Sequence, residues 1–87
     1  MEVVAKRIKG FEEIDKSQIC YYKTDHGWLI SFPIQDDFML GGLKNHTVEE
    51  HEDGTITVTP SILVSGRHGD KNWQKHGYLT KGVWKDC

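Results

Sequence analysis

The chain reads as a small all-β or β-dominated α+β domain of about six or seven short antiparallel strands. Three observations predict this class. β-Branched and aromatic segments recur at intervals of about ten residues, separated by Gly-containing turns such as Asp25-His26-Gly27, Asp53-Gly54 and Lys81-Gly82. Helical periodicity is weak from end to end. At 87 residues, with three Trp, three Tyr and three Phe among 37% apolar residues, the chain supports one core and one domain, residues 1–87.

In chain order, Val3 to Ile8 reads as a first strand, and Phe11 to Ser17 as a charged connection with room for one helical turn. Ile19 to Lys23 is a second strand, joined through Asp25-His26-Gly27 to a third, Trp28 to Phe32, which Pro33 ends. Gln35 to Leu43, with Phe38, Met39 and Leu40 between acids and a Gly pair, reads as a loop with an apolar tip or a brief helix. The clearest hairpin is His46 to Glu52 and Thr55 to Val58 around a two-residue Asp53-Gly54 turn. Alternation puts Ile56 and Val58 on one face and Thr55, Thr57 and Thr59 on the other. Pro60 ends ladder pairing or marks an edge, Ile62 and Val64 continue extended, and Gly66 to Gln74 is a loop. A last hairpin joins His76 to Thr80 with Val83 to Lys85. The expected core is Val4, Ile8, Ile19, Tyr21, Trp28, Ile30, Ile56, Val58, Ile62, Leu79 and Val83. So small a core predicts a homo-oligomer, with aromatics of the last hairpin or the Phe38 to Leu40 segment at the contact.

Charge narrows the partners. Thirteen acids against eleven bases give a net charge of -2 spread along the chain, which excludes a duplex nucleic-acid stripe. Lys44 to Asp53 is acid-rich, whereas Arg67, Lys71, Lys75, Lys81 and Lys85 make the last part basic enough to attract a small anion. Cys20 and Cys87 form no disulfide framework and no Cys-x-x-Cys motif; no signal peptide or membrane span is written, so a cytoplasmic setting, without membrane contact, is the expectation.

The chemistry-bearing residues point to binding rather than catalysis. Ser61 lacks a nucleophile elbow, and the pairs Asp36-Asp37 and Glu49-Glu50 point apart in extended chain. The five histidines lack metal-ligand spacing, so neither a metal nor another cofactor is expected. The richest inventory lies between Thr59 and Tyr78. Trp73 and Tyr78 offer stacking faces, Arg67 with Lys71 or Lys75 offers phosphate contacts, and Thr59, Ser61, His68 and His76 offer orienting polar groups.

The stretches Gly54-Thr55-Ile56-Thr57-Val58-Thr59-Pro60-Ser61-Ile62-Leu63-Val64 and His76-Gly77-Tyr78-Leu79-Thr80-Lys81-Gly82-Val83-Trp84 resemble a family of small phage and bacterial proteins often mislabelled ammonia monooxygenase. The segment Gly27 to Pro33 resembles that family's Trp-containing strand. The resemblance implies metal binding through Cys and His, but Lys75 stands where the Cys would precede His76, which counts against zinc here. In size and ligand-type chemistry the chain also resembles the anti-CBASS immune-evasion sponges of phages. That second resemblance implies a non-enzymatic homo-oligomer that sequesters a cyclic dinucleotide uncleaved. The alternatives are a small zinc-binding domain and a protein-binding inhibitor of a host enzyme acting through Glu49 to Asp53.

Overall fold

Residues 2–87 are described by a computed structural model. Nine strands occur among them: β1 (Glu2–Val4), β2 (Lys6–Arg7), β3 (Cys20–Thr24), β4 (Gly27–Ile34), β5 (Asp37–Gly42), β6 (Thr47–Glu50), β7 (Ile56–His68), β8 (Lys71–Thr80) and β9 (Val83–Asp86). The only helical piece in these residues is one 3-10 turn at Phe11–Glu13. A five-stranded sheet runs β1-β9-β8-β7-β6 and a four-stranded sheet β2-β3-β4-β5. All pairs are antiparallel except β2 with β3. The β-dominated class is as the sequence predicts.

Three local expectations give way. Val3 to Ile8 divides at Ala5, whose N–H bonds to the Gly82 carbonyl at 2.8 Å while Lys6 N–H bonds to the Ile19 carbonyl at 2.8 Å, so one extended stretch serves both sheets. Gln35 to Leu43 is neither loop nor helix: it forms β5, because Met39 buries toward the core while Phe38 and Leu40 face the other way. The turn before it, Gln35-Asp36, puts Gln35 at φ 46 without a glycine, so no Gly signalled it. Pro33 lies inside β4, beyond the last β3 pair, Cys20↔Ser31, where β4 has a neighbour on one side only and a missing N–H is tolerated.

Two further changes affect the hairpins. Gly66 to Gln74 is not a loop, since β7 and β8 continue to His68↔Lys71 and turn only at Gly69-Asp70, with Gly69 at φ 66. The Asp53-Gly54 turn is wider than two residues: His51 N–H bonds to the Thr55 carbonyl at 2.8 Å, and the Asp53 carboxylate accepts from Thr55 N at 3.0 Å and Thr55 Oγ1 at 2.7 Å. β7 runs through Pro60 with a register shift between Val58 and Ile62, a bulge that accommodates the absent donor. Lys81-Gly82 is the expected tight turn, at φ 47 and φ 77.

The main core between the sheets holds Tyr21, Ile30, Phe32, Ile56, Val58, Ile62, Leu79 and Trp84, with Phe32 and Trp84 rings 4.9 Å apart edge to face. Val4 departs from the expected core: it is 73% exposed. Val83 and Trp28 are half-buried. The Lys81-Gly82 turn sets this register, placing Trp84 opposite buried Leu79 and turning Val83 and its partner Val4 outward. A second cluster, Ile8, Cys20 and Tyr22 with Ile14 and Leu29, covers the outer face of the four-stranded sheet. Among the described residues the outer face of the five-stranded sheet has no such cover, and Val4, Leu63 and Tyr78 are exposed on it.

Candidate functional site

The expected ligand residues lie on β7 and β8, and strand alternation decides what they face. Ile62 and Val64 are buried, so Gly66 and His68 follow them inward, with their partners Trp73 and Lys71; Lys75, opposite Val64, is inward as well. Leu63↔His76, Ser65↔Gln74 and Arg67↔Asn72 face outward, and so does Tyr78. Thr59 and Ser61 flank the bulge at Pro60.

Trp73 and Tyr78 therefore stand on opposite faces and cannot stack on one ligand, which corrects the single-pocket arrangement expected from sequence. Trp73 packs against the main core, and its indole Nε1 is buried without a hydrogen-bond partner among the described residues. His68 Nδ1 lies 3.9 Å from Asp37, and Lys75 Nζ 3.8 Å from Asp86. Of the nine residues expected in the site, Thr59, Ser61, Arg67, His76 and Tyr78 lie toward the uncovered face, and Arg67 is roughly 20 Å along the hairpin from Tyr78.

That face has two depressions. One, of about 420 Å³ and lined by Ser65, Gly66, Arg67, Asn72, Trp73 and Gln74, sits at the distal end of the hairpin. Arg67 Nε donates to the Gly69 carbonyl at 3.1 Å, which orients the guanidinium, and its terminal nitrogens have no protein partner among the described residues. The other, about 450 Å³, is lined by Glu2, Tyr78, Thr80, Lys81, Val83 and Lys85. Between them Ser61 Oγ and His76 Nε2 are 3.1 Å apart, and His46 Nε2 lies 3.0 Å from the Ser61 carbonyl. No carboxylate bonds to His76 among the described residues, so a third group that would orient the imidazole toward Ser61 is missing from the pair.

Ser65, Asn72, Gln74, Glu2 and Lys85 line the depressions without standing out in the sequence as site residues. Period-two alternation carried past Val64 would have found the first three. Charge is segregated in the fold: Arg67, Lys81 and Lys85 lie around the uncovered face with Glu2, while Glu49, Glu50, Glu52 and Asp53 gather at β6 and its turn. No group of three or more His, Cys, Asp or Glu side chains is placed to hold a metal ion among the described residues, and no helix there is long and apolar enough to cross a membrane. Comparison with family models, curated proteins and solved structures returns no match.

Proposed function

We propose that the chain binds a small nucleotide signal, a cyclic dinucleotide, on the outer face of β7–β8 and sequesters it without cleaving it. The observation that carries this reading is the Arg67 depression: a volume within the ~300–1,000 Å³ typical of small-ligand sites, lined by a guanidinium, a hydroxyl and two carboxamides on a sheet face that the chain leaves bare. Arg67 meets phosphate through charge-assisted hydrogen bonds, and Asn72 and Gln74 match the donor and acceptor pattern of a base edge. The resemblance to phage immune-evasion proteins supplies the biological role, capture of a defence signal in the host cytoplasm.

Titration calorimetry against a panel of cyclic dinucleotides tests the reading. Tight binding is expected, with recovered ligand chromatographically unchanged. Arg67→Ala should weaken the complex about tenfold or more. Absence of binding below micromolar across the panel, or an Arg67→Ala complex as tight as wild type, would overturn it.

A further inference from the structure

β7 is flanked on both sides over only part of its length. β6 pairs with its first four residues, up to Thr59, whereas from Ile62 to His68 its only ladder partner among the described residues is β8. Two hydrogen bonds give the direction of the groups left over. The His76 carbonyl accepts from Cys87 N–H at 3.0 Å and so points to β9. Its cross-strand neighbour Leu63 therefore sits in a non-hydrogen-bonded pair, with its N–H and C=O turned away from β8. Ser61 faces the same way, its carbonyl taken by His46. Alternation gives Ser65 and Arg67 that direction too.

Leu63, Ser65 and Arg67 thus line an open edge with alternating donors and acceptors, bounded by His46 at one end and the Gly69-Asp70 turn at the other. β5 lies beneath this half of β7, Gly41 against the Val64 side chain, and supports it from the inner face. Charges guard two of the other edges, Glu49 and Glu50 on β6 and Lys6 and Arg7 on β2. Here a neutral Ser65 is flanked by Leu63, 55% exposed, on one side and by the single charge of Arg67 on the other.

We propose that this half-edge pairs antiparallel with the same segment of a second copy, about a two-fold axis at Ser65. The register is self-complementary. Leu63 lies opposite the aliphatic stem of Arg67 from the other copy, and no like charges oppose. The incoming turn at Gly69 reaches the level of Ser61, where His46 closes the free stretch, so the two runs match in length. The Arg67 depressions then merge across the axis, and two Arg67 Cα atoms ~14 Å apart present guanidinium groups to both halves of a two-fold symmetric dianion. This last step rests on the nucleotide reading; the pairing does not.

Cross-linking tests the register. In a Cys87→Ser background Cys20 is buried, and a Ser65→Cys variant places two thiols on a pair with Cα atoms ~5.5 Å apart, within disulfide reach. Mild oxidation should yield a covalent dimer. Leu63→Cys mixed with Arg67→Cys should cross-link, whereas Arg67→Cys alone should not. Ser65→Pro, which removes the central edge donor, should sediment as a monomer at concentrations where the unmodified chain is a dimer, with its strand-type circular dichroism retained. A chain that binds one nucleotide per monomer and gives no Ser65→Cys cross-link overturns the pairing and leaves the nucleotide reading standing. A register-specific dimer that binds no nucleotide supports the pairing and removes the nucleotide reading.

Discussion

Two tryptophans of this chain differ in what their loss should do. Trp84 is buried against Phe32, and its Nε1 donates to Asp86 Oδ1 at 2.8 Å. Trp84→Ala should lower stability by about 3–5 kcal/mol in denaturant titrations; a loss under about 1 kcal/mol would contradict the packing described. Trp73 is half-buried on the inner face, so Trp73→Ala should destabilise by a smaller amount, about 2 kcal/mol. Its role was illegible in the sequence because an aromatic in a basic, Gly-flanked run serves equally as ligand platform or core. Only the pairing with Gly66 decides between them. Asp53 contributes to the pH dependence of stability. The Thr55 hydroxyl, and then the Thr55 N–H, hold its carboxyl below the ordinary 3.8. A depressed folded-state value means that its contribution is present above the unfolded-state pKa and lost as pH falls through the folded one. The stability difference between wild type and Asp53→Asn should therefore be greatest near neutrality and shrink below pH 3.8, measured by urea unfolding across that range.

Among the elements, glycine-marked turns were the readable ones. Lys81-Gly82 and the Gly27 turn announced hairpins that the chain makes, whereas Gln35-Asp36 makes an equally tight turn with no glycine and hid β5. The long arms of β7 and β8 were obscured for a different reason. Gly66, Gly69, Asp70 and Asn72 have loop composition, yet Gly66 sits in the strand tight against the inner face, where a Cβ would stand 3.2 Å from Met39 Sδ. Half of the candidate site, Ser65, Asn72 and Gln74, was lost with those strand ends. Gly77, in the middle of β8, is a similar case: a Cβ there would run into the Lys85 carbonyl and the Trp84 ring. Gly77→Ala should cost about 1–3 kcal/mol through displacement of β9, visible as a lower thermal midpoint and an altered near-ultraviolet Trp spectrum. An unchanged midpoint would show that β9 yields freely.

At the scale of the molecule, β class and one core followed from patterning, but the contrast between the two outer faces did not. Whether a sheet face is covered depends on where the connection between β2 and β3 lies, and Ile14 against the second cluster and Phe11 against Phe38 hold it on the four-stranded sheet. The stretch from Glu2 to Ile8 has the widest reach. It supplies an edge strand to each sheet, changing sheets at Ala5, and Gly82 links it to β9 while the Gly82 N–H reaches the Ile56 carbonyl at 3.0 Å. Neither sheet can then peel away alone, because lifting β1 from β9 pulls β2 from β3. Amide exchange under strongly destabilising conditions should accordingly show the β3–β4 and β8–β9 ladders opening at one shared rate, with the Gly69-Asp70 end of the hairpin exchanging sooner. Two separate rates for the two sheets would mean that Ala5 acts as a hinge between independently melting halves rather than as the stitch that makes them a single folding unit.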